Sequence, residues 1–248
     1  MVFVDVHAHL QDKRFKDISS VIGRAVENGV GIIISNGLDK ESNLEVLELS
    51  KKFTAVKSAL GLYPLEALKL PEKELNAQLA FIKKNKNKIV AIGEVGMDYL
   101  HSDEKEKQKE IFSRIIKLAL EISKPLIVHS RRAEEDTIRL LEENKASKVV
   151  MHCFTGSMKL VKRIEKNRWF LSIPCTVVRD EHFQKIVEEV SLNHLLTESD
   201  APYLSPVQGQ INEPANIAKS IEKIAEIKGM VKEEAENNIF LNYRRLFE

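Results

Sequence analysis

The 248-residue sequence predicts an α/β fold, a (β/α)8 TIM barrel, on two observations. Short apolar runs rich in β-branched residues recur eight times, and amphipathic stretches with helix-capping residues separate them. The runs are apolar on both faces, which is typical of parallel strands covered by helices. Units of about 22 to 33 residues, repeated in this way, suit a barrel of this length, and a doubly wound open sheet is the alternative.

Each predicted element has a local signal. The predicted strands, in chain order, are VFVDV, GIIIS, TAVKSAL, KIVAIG, PLIVHS, KVVMHC, WFLSIP and HLLTES. Four helices have clear boundary signals. Asp17 can cap a helix that ends at Gly29, and Pro71 suits the first turn of a second helix. Ser102 or Asp103 can begin a third, and Ser157 precedes a fourth, MKLVKRIEK. The charged run EKEKQKE predicts a solvated helix face with paired charges. Two further helical stretches, from about residue 214 and about residue 231, close the chain as extra C-terminal helix.

Composition limits the classes of function. Hydrophobic residues make up 43% of the chain, and no linker or low-complexity segment divides it, so we expect a single domain over residues 1–248. The net charge is +1, with 38 basic and 37 acidic residues. A protein that grips a long duplex usually has a basic excess. Any contact with nucleic acid is therefore expected to be local, at a strand end or over a few nucleotides.

The cysteines and the hydropathy indicate a cellular setting. Cys153 and Cys175 cannot form a disulfide framework, and we expect both to be buried, reduced thiols. The sequence shows no basic-then-apolar leader, and no apolar run approaches about 18 residues. We therefore expect a soluble, cytoplasmic protein that does not associate with membranes.

Polar residues at the strand ends carry the chemistry. They are His7 and His9 on the first strand, Glu94 on the fourth, His129 on the fifth, His152 on the sixth and Asp200 after the eighth. Side chains i and i+2 of a strand share a face, so the first two histidines point the same way. A histidine at a strand end can also satisfy a backbone group, and a carboxylate can pair with an arginine. In a barrel, however, all these ends meet at one mouth, so the set together predicts a metal centre.

The donor atoms restrict the metal. Nitrogen and oxygen ligands without thiolate suit Zn²⁺, Mn²⁺ or Mg²⁺, and the sequence does not separate these ions. Six ligands exceed one tetrahedral site, but they fit two divalent ions that share a bridging carboxylate. The remaining histidines, His101, His182 and His194, lie in polar contexts and are expected to be solvated.

The chain resembles the TatD family of metal-dependent deoxyribonucleases, within the amidohydrolase-like barrels. The matching stretches are VDVHAHL, AIGEVGMDY, PLIVHSR, VMHCFTGS and TESDAPYL, in the order and spacing of the family. The resemblance covers essentially the full length. It implies that one metal is held by His7, His9, Glu94 and Asp200, and a second by Glu94, His129 and His152. Glu94 would bridge the ions at the position where many amidohydrolase relatives use a modified lysine.

The resemblance also implies an activity. A water between two cations becomes the nucleophile near neutral pH, and the cations stabilise charge on the phosphoryl oxygens. Asp200 is the predicted proton acceptor, and Glu94 the second predicted catalytic group. The implied reaction is 3′-to-5′ exonuclease cleavage of DNA, at single-stranded regions or ends.

Predicted substrate contacts are less uniform. Arg131 or Arg132 can hold a phosphate by forked hydrogen bonds, or the pair can shield helix acids at Glu134 and Glu135. The matching HSR stretch favours Arg131. The resemblance places Asn212, with its neighbours Glu213 and Pro214, beside Asp200, where we expect them to shape the loop and Asn212 to contact substrate.

Two stretches depart from the family. Members commonly carry G-x-H-P-H after the third strand, whereas this chain reads GLYPLE, with Tyr63 and Leu65 at the histidine positions. Tyr63 can donate one hydrogen bond to a substrate but carries no positive charge near pH 7. Ile211 stands where a basic residue often precedes Asn-Glu-Pro. We therefore expect a weaker grip on phosphate than in typical members.

These departures keep other functions open. One alternative is a metal-dependent hydrolase of an ester, lactone or aminoacyl bond, because the same activated water attacks a carbonyl. Another is a non-catalytic metal-binding interaction module, which the complete ligand set and Asp200 disfavour. The oligomeric state is not readable from the sequence.

Overall fold

A computed structural model describes residues 2–248. Eight parallel strands form one sheet in the order of the chain. The strands are β1 (Phe3–Ala8), β2 (Val30–Asn36), β3 (Val56–Leu60), β4 (Ala91–Asp98), β5 (Leu126–Arg131), β6 (Val149–His152), β7 (Phe170–Pro174) and β8 (Leu195–Glu198). The predicted (β/α)8 barrel is confirmed, and the open-sheet alternative is wrong, because β8 returns to β1.

Helices connect the strands and cover the sheet. They are α1 (Ile18–Glu27), α2 (Lys40–Lys52), α3 (Pro64–Lys69), α4 (Glu72–Lys84), α5 (Lys105–Glu121), α6 (Glu134–Glu143), α7 (Met158–Lys166), α8 (Glu181–Glu189), α9 (Ile217–Lys228) and α10 (Lys232–Phe247). Asp17 caps α1 as predicted, since its side chain accepts a hydrogen bond from the Ser20 N–H at 3.2 Å. The predicted start of α5 is wrong: the helix begins at Lys105, and Glu104 precedes it without a side-chain cap.

The seam between β8 and β1 closes the barrel. The backbone N–H of Asp200 donates to the carbonyl oxygen of His7 at 2.8 Å, and that of His9 donates to Ala201 at 2.7 Å. Deeper in the seam, the Ser199 side chain donates to Asp5 at 2.5 Å. Burial raises the pKa of Asp5 to about 8, although the hydrogen bonds from Ser199 oppose the shift. The residues around Asp200 are therefore fastened directly to the strand that carries the two N-terminal histidines.

Two apolar layers support the barrel. The larger core lies between the sheet and the helices, with Trp169 and Phe112 among its largest buried side chains. The smaller core receives at least one residue from every strand and so fills the barrel axis. Tyr243 and Leu246 of α10 pack into this second core, at the end of the barrel opposite the strand carboxyl ends. Below its mouth the barrel is thus a packed solid, which holds the site above it rigidly.

Within residues 2–248, none of the helices is both long and apolar enough to cross a lipid bilayer.

Candidate metal centre

The predicted metal ligands meet at the carboxyl ends of the strands. A cavity of about 450 Å³ opens there, a size that suits a small ligand. The side chains lining it are His9, Leu38, Asp39, Tyr63, Glu66, Glu94, His129, Arg131, His152, Asp200, Tyr203 and Leu204. His7 lies just beneath and is fully buried. All six predicted ligands are thus brought together, from strands that span almost the whole sequence.

Glu94 stands at the centre of the cluster with its two oxygens facing different partners. Its Oε2 lies 3.4 Å from His7 Nε2 and 3.3 Å from His9 Nε2. Its Oε1 lies 2.9 Å from His129 Nδ1 and 3.6 Å from His152 Nε2. This is the arrangement that a bridging carboxylate needs.

The first half-site consists of His7, His9 and Asp200 around Oε2 of Glu94. Asp200 Oδ1 lies 3.5 Å from the Nε2 atom of each histidine, and the two Nε2 atoms are 3.2 Å apart. On the far side of the rings, His9 Nδ1 donates to the carbonyl oxygen of Asn36 at 3.1 Å. His7 Nδ1 is buried and has no hydrogen-bond partner among residues 2–248. The far side of the His7 ring is therefore held by packing alone, whereas its Nε2 atom faces Glu94 and Asp200.

The second half-site consists of His129 and His152 around Oε1 of Glu94. His152 Nδ1 lies 3.2 Å from Glu198 Oε2, and the Ser172 hydroxyl donates to the same oxygen. His129 Nε2 lies 3.4 Å from Asp98 Oδ2. A carboxylate behind a histidine fixes the tautomer and makes the ring a more basic donor. Both rings of this half-site have such a carboxylate.

The electrostatics of the cluster favour positive charge. Burial opposes ionisation of Glu94, but hydrogen bonds from His129 and two other histidines outweigh it and hold its pKa well below the usual value. Burial likewise opposes protonation of His9, yet hydrogen bonds to Asp200 and Glu94 raise its pKa well above the usual value. The pKa of His129 rises to about 9, against burial, through Asp98 and Glu94. The carboxylates therefore favour positive charge on His9 and His129, whereas burial lowers the pKa of His7 and His152.

The donor set fits divalent metal ions. The Nε2 atoms of His7 and His9 lie 3.2 Å apart, and both face the carboxylates of Glu94 and Asp200. Two sets of three donor atoms, His7–Glu94–His152 and His7–His9–Asp200, each lie within 4.8 Å of one another. Nitrogen and carboxylate oxygen donors are those that Zn²⁺ and Mn²⁺ accept.

Backbone geometry positions the two carboxylates. Gly61, retained in GLYPLE, lies against the backbone of Glu94, and a Cβ there would overlap both the nitrogen and the carbonyl oxygen of Glu94. Asp200 has φ of +52°, in the left-handed region that a non-glycine residue rarely adopts. Its N–H bond to His7 holds it in this conformation. A strained residue of this kind is common at functional sites.

Tyr63 takes the place of the first family histidine, and its hydroxyl is already engaged. It donates to Asp98 Oδ2 at 2.9 Å, and burial together with the charge of Glu94 raises its pKa. The sequence predicted that the Tyr63 hydroxyl donates to a substrate, but in the structure it donates to Asp98. Glu66, rather than Leu65, lines the cavity from the same segment.

Of the other predicted substrate contacts, some line the cavity and others lie outside it. Arg131 lines the cavity, whereas Arg132 is exposed outside it. Glu135 pairs with Arg163 at 2.5 Å, so the shielding role considered for the two arginines is not needed there. Asn212 is fully buried outside the cavity, and its amide donates to the Ser199 carbonyl at 2.7 Å. This placement supports the loop-shaping role of Asn212 and argues against substrate contact.

Sequence reasoning missed two carboxylates, Asp98 and Glu198, although both carried a signal. Glu198 interrupts the apolar run of β8 and is fully buried, and burial raises its pKa to about 8. A buried acid requires a partner, which here is His152. Asp98 lies four residues after Glu94 on the same strand. Its backbone is held by Gln108, whose side chain accepts from its N–H at 2.7 Å and donates to its carbonyl at 2.9 Å.

Several smaller predictions need correction. Gln108, within the run predicted to be a solvated face, is buried. His101 is exposed, but its ring lies 2.8 Å from Asp98. His182 and His194 are half-buried and donate to carbonyl oxygens of the backbone, so they are not simply solvated. Both cysteines are free thiols with pKa raised by burial, yet Cys153 is only partly buried, in the turn after β6.

The fold and the donor set together define a metal-dependent hydrolase of the α/β-barrel class. Comparison with known proteins identifies the branch: the chain belongs to the TatD related DNase family, whose sequence profile matches residues 4–248. The predicted family is thereby confirmed.

Relatives span the whole chain. An uncharacterized metal-dependent hydrolase of Methanocaldococcus jannaschii is 38% identical over 247 residues, covering 99% of this chain and 97% of that protein. The human deoxyribonuclease TATDN3 is 33% identical over 258 residues, covering 98% of this chain and 94% of that protein. The crystal structure of YJJV, a TatD homologue of Escherichia coli, matches with a TM-score of 0.92 and 29% identity, covering 99% of this chain and 97% of that one.

Proposed function

We propose that this protein is a 3′-to-5′ exonuclease that cleaves DNA phosphodiesters at single-stranded ends, with two divalent ions in the metal centre. The observation that carries the proposal is Glu94, whose oxygens face two separate groups of donors. His7, His9 and Asp200 would hold one ion, and His129 and His152 the other.

The chemistry divides between the ions and the chain. When bound, the two cations supply Lewis acidity that polarises a phosphoryl oxygen and makes water a nucleophile near neutral pH. Asp200 would accept the proton of that water: its carboxylate borders the cavity, and it stays ionised because His9 and neighbouring histidines lower its pKa against burial. Glu94 holds the two halves of the centre at a fixed separation.

The mouth of the cavity favours a short, single-stranded substrate. Among the cavity-lining side chains of residues 2–248, Arg131 is the only permanent cation, and it would hold the scissile phosphate by forked hydrogen bonds. Asp39 and Glu66 on the rim oppose a long polyanion. A strand end presents few phosphates and so meets little of this repulsion.

The same rim supports a second candidate, hydrolysis of an ester, lactone or aminoacyl bond. Leu38 and Leu204 add apolar surface beside the two rim acids, and the Tyr63 hydroxyl is engaged by Asp98. A neutral carbonyl substrate would not need a cationic grip.

The test uses metal-stripped protein and an end-labelled single-stranded oligonucleotide, with Mg²⁺, Mn²⁺ or Zn²⁺ added back in turn. We expect a stepwise ladder that requires metal. In Asp200→Asn, turnover should fall by about 10²- to 10⁴-fold, the usual contribution of general base catalysis, while the protein still binds metal.

Asp103→Asn, an exposed acid outside the cavity, is the matched control and should cleave normally. Intact oligonucleotide in the presence of bound metal would reject the exonuclease and direct attention to carbonyl substrates. Near-normal cleavage by Asp200→Asn would remove Asp200 from the mechanism.

A further inference from the structure

Tyr203 presents an aromatic ring at the mouth of the candidate centre. Its side chain lines the cavity, and the residue is 50% exposed, which is unusual for an aromatic side chain in this protein. Its backbone N–H donates to the carbonyl oxygen of Asp200 at 2.8 Å. The Tyr203 and His9 ring centroids are 6.3 Å apart, with planes nearly perpendicular at 83°. The ring is therefore tied closely to the first half-site.

Arg14 covers one face of this ring. Its guanidinium carbon lies 4.0 Å from the ring centroid, in cation–π contact. The guanidinium is in turn held by Asp12, through hydrogen bonds of 2.9 and 2.7 Å to the two carboxylate oxygens. Two of the N–H groups of Arg14 are thus engaged by Asp12, which fixes the position of the guanidinium against the ring. Arg14 therefore packs against one face of the Tyr203 ring and fixes the orientation of the ring plane.

We propose that the uncovered face of Tyr203 is a stacking platform for the terminal nucleobase of a single DNA strand. The proposal rests on the proposed function, since it names what lies beside the scissile phosphate. A base stacks on any aromatic face regardless of sequence, and each such contact contributes about 1–3 kcal/mol to binding. Leu204, next in the chain, adds apolar surface at the same rim.

The charge distribution makes such a contact necessary. The rim carries Asp39 and Glu66, and Arg131 is the one guanidinium that the described residues contribute to the cavity. The side chains of the rim therefore give little affinity for phosphates beyond the one that the metal ions would hold. Stacking on Tyr203 supplies binding that does not depend on positive charge.

The first experiment measures binding without turnover. Metal-loaded protein is titrated calorimetrically with thymidine 5′-monophosphate and with 2-deoxyribose 5-phosphate, which lacks the base. The wild-type protein should prefer the nucleotide by about 5- to 150-fold, as a stacking contact of this strength implies. Tyr203→Leu should bind the two ligands equally, whereas Tyr203→Phe, which keeps the ring, should retain the preference. Val207→Ala is the control, since Val207 is 43% exposed on the same loop but outside the cavity.

The second experiment measures cleavage of oligonucleotides that end in a normal or an abasic nucleotide. Tyr203→Leu should raise KM about 5- to 150-fold on the normal end, with little change on the abasic end. Metal content is measured for each variant, so that a disturbed centre is recognised.

The outcomes separate the two proposals. If no DNA is cut but the nucleotide preference exists and depends on the Tyr203 ring, the platform stands and the exonuclease fails. If DNA is cut and Tyr203→Leu affects normal and abasic ends equally, the residue has a structural role only, and the platform is overturned. Equal binding of nucleotide and sugar phosphate by the wild-type protein overturns it as well.

Discussion

The two half-sites of the metal centre share Glu94 but are supported in different ways. In the first, His9 is oriented by a backbone carbonyl and His7 has no partner behind it within residues 2–248. In the second, His129 and His152 are each backed by a carboxylate. In the proposed two-ion centre, the first half-site would have Asp200 as a carboxylate ligand of its own, whereas the second would have only its share of Glu94.

The two half-sites differ in where their carboxyl groups lie relative to a bound ion. In the first half-site, the Asp200 carboxylate is among the groups that would contact the ion directly. The second half-site has its additional carboxyl groups one step further out, on Asp98 and Glu198, each of which lies against the far nitrogen of an imidazole. Removing these outer carboxylates should therefore affect one half-site and spare the other.

Breaking the shared element should have the largest effect. In Glu94→Gln, both half-sites lose a negatively charged oxygen, so we expect the bound metal to fall towards zero and activity to disappear. Metal content by elemental analysis and oligonucleotide cleavage check this. Glu106→Gln, at a glutamate whose side chain is 87% exposed, should bind metal and cleave as the wild type does. Retention of a full metal complement by Glu94→Gln would rule out the bridging role.

Removing one outer carboxylate should sharpen the contrast. In Glu198→Gln or Asp98→Asn, the affinity for one of the two ions should fall about 10- to 100-fold, as is usual when the partner of a ligating histidine is lost. The ion of the first half-site should bind as before. Calorimetric titration of metal-stripped protein, fitted to two sites, measures both affinities. Equal weakening of both sites would contradict the assignment of these acids to the second half-site alone.

The smallest effect is expected from the hydroxyl of Tyr63. Tyr63→Phe removes one hydrogen bond to Asp98, a contact of about 0.5–1.5 kcal/mol, and leaves the carboxylate in place. The second half-site, which contains His129, should lose about two- to tenfold in metal affinity. The same two-site titration detects it. A loss as large as that of Asp98→Asn would mean that the hydroxyl, rather than the carboxylate, orients His129.

The sequence predicted the barrel and the gathering of the six ligand candidates, because both follow from local patterns. Apolar runs specify strands, and strand ends share one mouth in a barrel, so His7 and His152 could be brought together without knowing any distance. Their roles as ligands remain predictions. The tilt of each ring, and hence which nitrogen faces Glu94, is set by tertiary contacts such as His129 with Asp98.

The contacts that the sequence did not reveal join residues distant along the chain. Arg14 reaches Tyr203 from a different loop, and neither neighbourhood indicates the other. Asn212 lies beside Asp200 as expected, but its burial could not be read from a polar loop. The engagement of Tyr63 by Asp98 likewise depends on how the loop after β3 approaches β4.

The seam between β8 and β1 has a consequence for how the protein is made. Asp200 is bound to His7, and Ser199 to Asp5 across 194 positions of sequence, so the centre joins the start of the chain to its last fifth. At a translation rate of about 5–20 residues per second, roughly 10–40 s separate the emergence of these segments from the ribosome. During that interval the N-terminal histidines have no Asp200 beside them. A nascent chain therefore cannot acquire the complete centre, and synthesis itself delays the appearance of a hydrolase until the barrel can close.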